Sequence, residues 1–352
     1  MSTRDNPFEG LNGALNAADN QLRDTFGWYT VAKKEFRDAS RSKGLWLLTV
    51  VFVSVFILPV VLALYFSINL VSRGGADIGM QLLISTYYLN VVTILLPIIA
   101  IFIGYAAISK ERTSGSLKLL LSLPNSRRDV VLGKVFGRCA VIAVPLAVAL
   151  GLGALFFAAS NIALKPGIYA QFSLFTLALT VVFVAIAVSI SGAVSTNTRS
   201  AIVNFITYFY FAFGWNGIVN GIGSFLSDYL GIQGSARWHI VLFAKLLNPT
   251  QAYKTLTNSM LGQGSLSARF GMFSQGGLLS SGLSNEALTT VCGSVLGGSP
   301  ATQETQFGTT RVICEGSTPA PYFSDVAVFL YMFVWVGIAA VISYKTFNLA
   351  DL

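Results

Sequence analysis

Residue types that catalyse reactions or bind metal ions are scarce in this chain of 352 residues. Its single histidine, His239, follows Trp238 and has no cysteine, histidine or carboxylate at the spacing of a metal-ligand set, so we expect it to pack at an interface. Neither a G-x-S-x-G turn nor an H-E-x-x-H pattern occurs. The sequence therefore predicts neither a catalytic site nor a metal or cofactor bound by this chain.

A nucleotide-binding loop is also missing. The pair Gly133-Lys134 comes nearest to the G-x-x-x-x-G-K-[ST] pattern, whose backbone cradles phosphates. However, Arg128 stands at the position of the first glycine, and Val135 follows the lysine. We therefore do not expect the chain to hydrolyse ATP by a P-loop mechanism on its own.

Composition indicates what kind of scaffold holds these residues. Hydrophobic residues make up 54% of the chain and charged residues 11%, with a mean hydropathy of +0.67, whereas soluble domains carry about 25% charged residues. The net charge is +8, but most basic residues flank apolar runs, where they orient helices and meet anionic headgroups. We predict an all-α integral membrane protein whose basic residues contact membrane lipids and not nucleic acid.

Hydropathy predicts six transmembrane helices, each long enough for a hydrocarbon layer of about 30 Å. A shorter apolar stretch, 238–247, stops at Asn248-Pro249 and is predicted to form an interfacial or re-entrant helix. An amphipathic helix at 25–43 is predicted to lie in the membrane interface, with a solvated linker helix as the alternative. The predicted spans are 45–69, 82–108, 135–159, 172–194, 201–222 and 323–344.

Basic residues close to the spans indicate the orientation. They are concentrated before the first span and in the segment after the second, which places both termini in the cytoplasm. The predicted units are a cytoplasmic tail and interfacial helix at 1–44, spans one to five at 45–222 with a cytoplasmic segment at 109–129, an extracytoplasmic cap at 223–322, and the last span with a short cytoplasmic C-terminus at 323–352.

Two of the three cysteines, Cys292 and Cys314, fall in the predicted cap, where disulfides survive, while Cys139 lies near the start of the third span. A disulfide between the first two would close a loop of about twenty residues and contribute roughly 3 kcal/mol in the chain-entropy model. Two unpaired thiols are the alternative.

The predicted spans contain no Asp or Glu in their interiors. Ion-coupled transporters keep such residues at mid-membrane to bind the coupling ion, so secondary transport is disfavoured. The spans contain small polar and aromatic residues instead, which either pack helices together or line a path for an amphipathic substrate. The candidates for such a path are Asn90, Asn204, Tyr208 and Asn216.

The polar and basic segment 109–129 separates two long apolar runs. Three leucines share one face of a short predicted helix, which Pro124 ends because it pushes the preceding residue out of the helical region. Ser126 is predicted to cap the next helix in a capping box with Asp129. The leucines are Leu117, Leu120 and Leu121.

This segment resembles the intracellular signature of type-2 ABC exporter permeases, especially the group that includes the permease for maturation of nitrous oxide reductase. The amphipathic entry helix, the six spans and Asn248-Pro249 fit the same family, while the long 223–322 segment departs from its compact form. The strings that carry the resemblance are Glu111 to Leu117, Leu120 to Pro124, Arg127-Arg128 and Gly133-Lys134.

The resemblance implies a transmembrane subunit that forms a homodimer through its helices and sits on two copies of a separate ABC ATPase, which binds ATP and Mg²⁺. It implies a coupling helix that docks in a groove of the ATPase, where Glu111 meets a basic or polar group and the leucines fill the apolar part. The two arginines are either docking residues or headgroup anchors. The implied docking residues are Glu111, Gly115, Leu117, Leu120, Leu121, Pro124, Arg127 and Arg128.

The implied location is the plasma membrane of a bacterium or archaeon, with room on the cap for an extracytoplasmic accessory protein. Two other classes of function remain open. A channel or secondary transporter would use 109–129 as a surface helix and would function without an ATPase. A membrane anchor or assembly protein would act through the 223–322 cap and would move no solute.

Overall fold

The computed structural model describes residues 7–65, 76–116, 126–160, 162–261, 285–304, 310–315 and 320–349. Six helices in these ranges are long and apolar enough to cross a membrane, which confirms the predicted spans. They run over Lys43–Leu62, Gly79–Ser114, Arg128–Ala159, Pro166–Ala193, Asn197–Asp228 and Asp325–Thr346.

The described elements are numbered here in chain order. The helices are α1 Pro7–Thr25, α2 Gly27–Ser40, α3 Lys43–Tyr65, α4 Ala76–Leu83, α5 Leu89–Gly104, α6 Ser109–Ser114, α7 Arg127–Ala159, α8 Pro166–Ala193, α9 Asn197–Phe209, α10 Trp215–Asp228, α11 Gly234–Leu246, α12 Pro249–Met260, α13 Asn285–Thr290 and α14 Asp325–Leu349. Strands β1 Ser299–Glu304 and β2 Thr310–Glu315 form an antiparallel hairpin. Turns of π-helix lie at Ile84–Tyr88, Tyr210–Gly214 and Val291–Val295, and a 3-10 turn at Pro321–Phe323.

Helix α8 forms the core of the bundle. Its sequence is apolar on every face, as expected for a helix surrounded by others, and its buried positions run from Tyr169 to Gly192. It packs against α5, α7, α12 and α14. The buried hydroxyl of Tyr169 donates a hydrogen bond of 2.8 Å to Leu150 O on α7, so this polar group has a partner inside the bundle. These four helices are therefore positioned relative to α8, while α2 and α3 pack on α7.

The turn between α11 and α12 is attached to the bundle through side chains. Asn248 caps α12 by accepting from Thr250 N at 2.9 Å. Its amide also donates to Phe211 O at 2.7 Å, inside the π-helical turn of the fifth span. Trp335 Nε1 donates to Leu247 O at 2.8 Å from α14. The predicted helix at 238–247 is present as α11, but α12, which packs against α8 and α14, was not predicted.

Residues 1–24 were expected to be a polar tail, yet the structure contains the helix α1 there. Asp19 on α1 accepts hydrogen bonds from Tyr29 Oη at 2.8 Å and from Lys33 Nζ at 2.5 Å, both on α2. These bonds hold the pKa of Asp19 below its ordinary value, with the Lys33 bond as the largest cause. The two helices are therefore joined by polar contacts at the surface.

Helix α2 lies directly on α7 because two glycines allow close approach. A Cβ at Gly133 would lie 2.5 Å from Val31 Cβ, and a Cβ at Gly137 would lie 2.6 Å from Glu35 Cβ. Trp28 adds a ring contact to Phe136, with centroids 4.5 Å apart. The Gly-x-x-x-Gly spacing places both glycines on one helix face, as in close helix pairs within membranes. The predicted amphipathic helix is therefore a packed part of the bundle.

Within the 223–322 segment, Cys292 and Cys314 form a disulfide that joins the π-helical turn after α13 to β2. Both cysteines are buried, together with Val291 and Val295. The α13 region and the hairpin thus share a small core that the disulfide closes.

Replacing Gly133 or Gly137 with alanine should separate α2 from α7. Each new Cβ meets atoms of α2 below 3.0 Å, and overpacking of this kind costs about 1–3 kcal/mol. The reaction of the buried thiol of Cys139 with a maleimide dye during heating should therefore begin at lower temperature.

Gly151→Ala on the same helix is the matched control, because its Cβ would meet nothing within 4 Å. It should leave the melting temperature unchanged or slightly raised, since alanine favours the helix by up to about 1 kcal/mol. Equal melting of all three variants would contradict the α2–α7 packing.

Thiol counting tests the disulfide. Alkylation of the denatured chain without reductant should modify one cysteine, Cys139, and alkylation after reduction should modify all three. Mass spectrometry of the intact chain distinguishes the two products. Three modified thiols without reductant would show that Cys292 and Cys314 are unpaired.

Candidate functional site

The described part of the 109–129 segment contains one short helix and the start of the next. Helix α6 ends at Ser114, and Gly115 follows in the left-handed region with φ of 75°. Ser126 caps α7: its Oγ accepts from Asp129 N at 3.1 Å, and Asp129 Oδ2 accepts from Ser126 N at 3.1 Å. The predicted capping box is confirmed. Leu117, Leu120, Leu121 and Pro124 lie outside the described residues.

A buried lysine joins α6 to two other helices. Lys134 on α7 has a side chain only 1% exposed, and its Nζ lies 2.7 Å from Glu111 Oε1 on α6 and 2.9 Å from Glu35 Oε1 on α2. Arg138, one turn further along α7, binds Glu35 Oε2 at 2.8 Å. We call these four residues the charge cluster. It has two cations and two carboxylates, so its formal charge is zero.

The members of the charge cluster depend on one another, because each charged group needs an oppositely charged partner to offset its burial. A buried ammonium loses its hydration and needs carboxylate partners at hydrogen-bonding distance. Burial by itself raises the pKa of Glu35, but the charges of Lys134 and Arg138 outweigh it and keep that pKa below its ordinary value. Glu35 therefore stays ionised at neutral pH. The ion pairs of Glu35 therefore stabilise the fold above the ordinary carboxyl pKa, and this contribution is lost as the pH falls through the lowered pKa of Glu35.

The opposite side of α6 is attached to the end of α8. Arg112 donates from Nη1 to Val194 O at 3.1 Å and from Nη2 to Gly192 O at 3.2 Å. Carbonyls at the end of a helix have no partner within it, and a cation there also interacts favourably with the helix dipole. Arg112 therefore caps α8 from the neighbouring segment.

Hydroxyl groups complete this attachment. Ser191 Oγ on α8 accepts from the backbone N–H groups of Ile108 and Ser109, both at 3.0 Å. Ser109 Oγ donates to Asn197 Oδ1 at 3.1 Å, which reaches the start of α9. Ser200 Oγ donates to Tyr105 O at 2.5 Å. Helix α6 is thus bonded on one side to α7, and through Lys134 to α2, and on the other side to α8 and α9.

The remaining predicted site residues are dispersed. Arg128 donates to Tyr344 Oη at 2.8 Å and lies over its ring, which attaches it to α14. Among the substrate-path candidates, Asn90 is exposed and Asn216 half-buried, while Asn204 and Tyr208 are buried. Asn204 Nδ2 donates to Ser200 O within α9 at 3.0 Å and to Ala187 O of α8 at 3.4 Å, and the second bond is a helix-packing contact. The docking and substrate roles of these residues stay predictions.

Sequence reasoning did not identify Glu35 or Arg138 as site residues, and Lys134 entered it only as part of a family string. The available signals were the Gly133-x-x-x-Gly137 spacing and two cations four residues apart on the same helix. Glu35 is one acidic residue on a helix rich in lysine and arginine. None of these signals indicates which residues pair with each other, because Glu35, Glu111 and Lys134 are far apart in the chain.

Lys134→Met should destabilise the chain strongly. It leaves Glu111 and Glu35 partly buried without their shared ammonium, and removing one member of a buried ion pair costs about 3–5 kcal/mol. The measurement is again the temperature at which Cys139 becomes reactive. Adding Glu111→Gln to this variant should recover part of the loss, because the uncompensated carboxylate is then neutral.

The matched control is Lys110→Met, which removes an exposed lysine from the same region and should change stability by less than about 0.5 kcal/mol. A Lys134→Met variant as stable as this control would show that the charge cluster contributes nothing.

Comparison with known proteins gives a consistent result. The family described as ABC-2 family transporter protein matches residues 29–352. The chain is 26% identical over 235 residues to the probable ABC transporter permease protein NosY of Pseudomonas aeruginosa, covering 66% of this chain and 81% of that protein. A NosY of Stutzerimonas stutzeri is 26% identical over 237 residues, with the same coverage. The chain therefore belongs to the ABC-2 transporter family and is a multi-pass membrane subunit of an ABC transporter.

Proposed function

We propose that this chain is the permease of an ATP-driven exporter, and that a separate ABC ATPase drives it by moving the 109–129 segment. The observation that carries the proposal is the attachment of α6 to α7, α2, α8 and α9 through the charge cluster, Arg112, Ser191 and Asn197. A segment that receives force from another subunit must be firmly attached to the helices that move. Helix α6 has that property on both of its sides.

The contacts favour a rigid-body transmission of movement. Ion pairs and hydrogen bonds with buried members hold their geometry, because separating them exposes uncompensated charge. A displacement of α6 is therefore passed to α7 and α2 through Lys134 and to α8 through Arg112. Such a displacement can switch a packed helical bundle between two discrete arrangements.

Glu111 has an internal role in this proposal. Because its Oε1 binds Lys134, it holds α6 on α7, and the surface left for the ATPase is the exposed part of α6 that contacts neither α7 nor α8. Thr113 is exposed there. The leucines 117, 120 and 121 are proposed to supply the apolar part of the docking surface, as the sequence implied, and Arg127 a basic part.

The proposal includes an orientation and an assembly. Both termini, α2 and α6 are on the cytoplasmic side, where the ATPase binds ATP and Mg²⁺, and the disulfide-containing region is outside, where it is available to an accessory protein. A homodimer is supported by Gly217 and Gly221 on α10, which are exposed and where an added Cβ would meet nothing within 4 Å. Small residues on an outer helix face permit close contact with another helix. The proposed location is the plasma membrane of a bacterium or archaeon.

Copurification tests the proposal. The tagged chain, coexpressed with the ABC ATPase from its gene neighbourhood and reconstituted in lipid nanodiscs, should retain the ATPase at a ratio of one to one. Leu120→Asp should abolish retention, because it places a charge in the apolar docking surface. Lys134→Met, assayed below its lowered unfolding temperature, should retain the ATPase but uncouple its hydrolysis rate from the permease.

The control for this experiment is Leu155→Asn, which changes an exposed leucine at the far end of α7 and should leave retention unchanged. A purified chain that transports solute without any ATPase would overturn the proposal in favour of a channel or secondary transporter. A chain that binds an outer partner and moves no solute would favour an assembly protein.

A further inference from the structure

A groove of about 800 Å³ opens beside the charge cluster and is not used by the proposed coupling. One wall is the first part of α3, with Leu48 and Val51, and the other is the last part of α5, with Leu95, Ile99 and Phe102. Val141 on α7 also lines it. These walls are apolar, whereas the lining residues on α2 and α6, which we call the mouth of the groove, include charged ones.

The groove has the depth of one lipid leaflet. Its lining residues on α5 and at the C-cap of that helix run from Leu95 to Tyr105, a separation of ten residues that spans about 15 Å at 1.5 Å per residue. The hydrocarbon layer of a bilayer is about 30 Å thick, so this wall reaches about halfway through it. An acyl chain of the leaflet on the α2 side fits a groove of this depth.

The mouth contains charged residues that are not members of the charge cluster. The charge cluster contributes Glu35, Glu111 and Arg138 to the lining, and its four members sum to zero. Three further charged residues line the mouth, namely the exposed Lys34, Asp38 and Lys110, with a net charge of +1. Lys34 on α2 and Lys110 at the start of α6 therefore supply two ammonium groups to the mouth, and Asp38 supplies one carboxylate.

We propose that this groove binds one phospholipid of the adjacent leaflet, with its phosphate between Lys34 and Lys110 and an acyl chain between α3 and α5. The ligand chemistry is that of a phosphate-bearing amphiphile. The walls exclude a polar solute at depth, and the two lysines favour an anionic headgroup over an uncharged one. The site is separate from the ATPase-facing side of α6 and does not depend on the direction of transport.

Native mass spectrometry of the detergent-purified chain tests the proposal, with palmitoyl-oleoyl-phosphatidylglycerol as the probe. One lipid should bind per chain. Lys34→Gln with Lys110→Gln should weaken binding by about thirty-fold, from the typical contribution of a basic residue near anionic lipid. Ile99→Trp should abolish binding by filling the groove, and both variants should melt like the wild type.

Two controls and two probes make the outcome decisive. Arg37→Gln removes an exposed cation of α2 outside the groove, and Leu155→Trp enlarges an exposed residue elsewhere on the bundle; neither should change binding.

Dioleoylglycerol, which lacks the phosphate, should bind at least tenfold more weakly. Inorganic phosphate that displaces the lipid would identify a free-anion site and overturn the proposal. Undiminished lipid binding by the groove variants, or a dimer that Ile99→Trp dissociates, would do so as well.

Discussion

The buried ammonium of Lys134 is the interaction on which the rest of this end of the molecule depends. An isolated charge in a nearly dry position is unfavourable by several kcal/mol, so two carboxylates from different parts of the chain must come to it. Glycines on the same helix allow one of those parts, α2, to come close enough. The glycine contacts bring Glu35 within reach of Lys134, and the ion pair in turn holds α2 against α7, so the two kinds of contact stabilise each other.

That arrangement explains why α6 is well positioned although it has only six residues. So short a helix is marginal by itself, and its orientation comes from its contacts. Lys134 positions one face through Glu111, and the α8 terminus positions the other through Arg112 and Ser191. The last carbonyls of α8 accept from the Arg112 side chain, and the N–H groups at the start of α6 donate to the Ser191 hydroxyl. Helix α6 and the turn between α8 and α9 therefore fold as one unit.

Local sequence patterns predicted much of this structure. Apolar runs predicted the six spans, the Ser126–Asp129 pair predicted a capping box, and the stretch before Asn248-Pro249 predicted a helix. These features depend on residues within a turn or two of each other. The charge cluster depends on residues 35, 111 and 134, and no periodicity connects them. The helix α12 was missed because its composition is polar, and only its contacts with α8 and α14 explain its burial.

The cap that Arg112 places on α8 also bears on how such permeases evolve and how they can be recombined. A chimera that exchanges only α6 for a segment of different sequence would leave Lys134 without the Glu111 carboxylate and the last carbonyls of α8 without Arg112. The heritable module is instead discontinuous, made of α2, α6, the start of α7 and the α8–α9 turn. Substitutions in these four places are expected to covary across homologues, and a domain exchange has to transfer all four together.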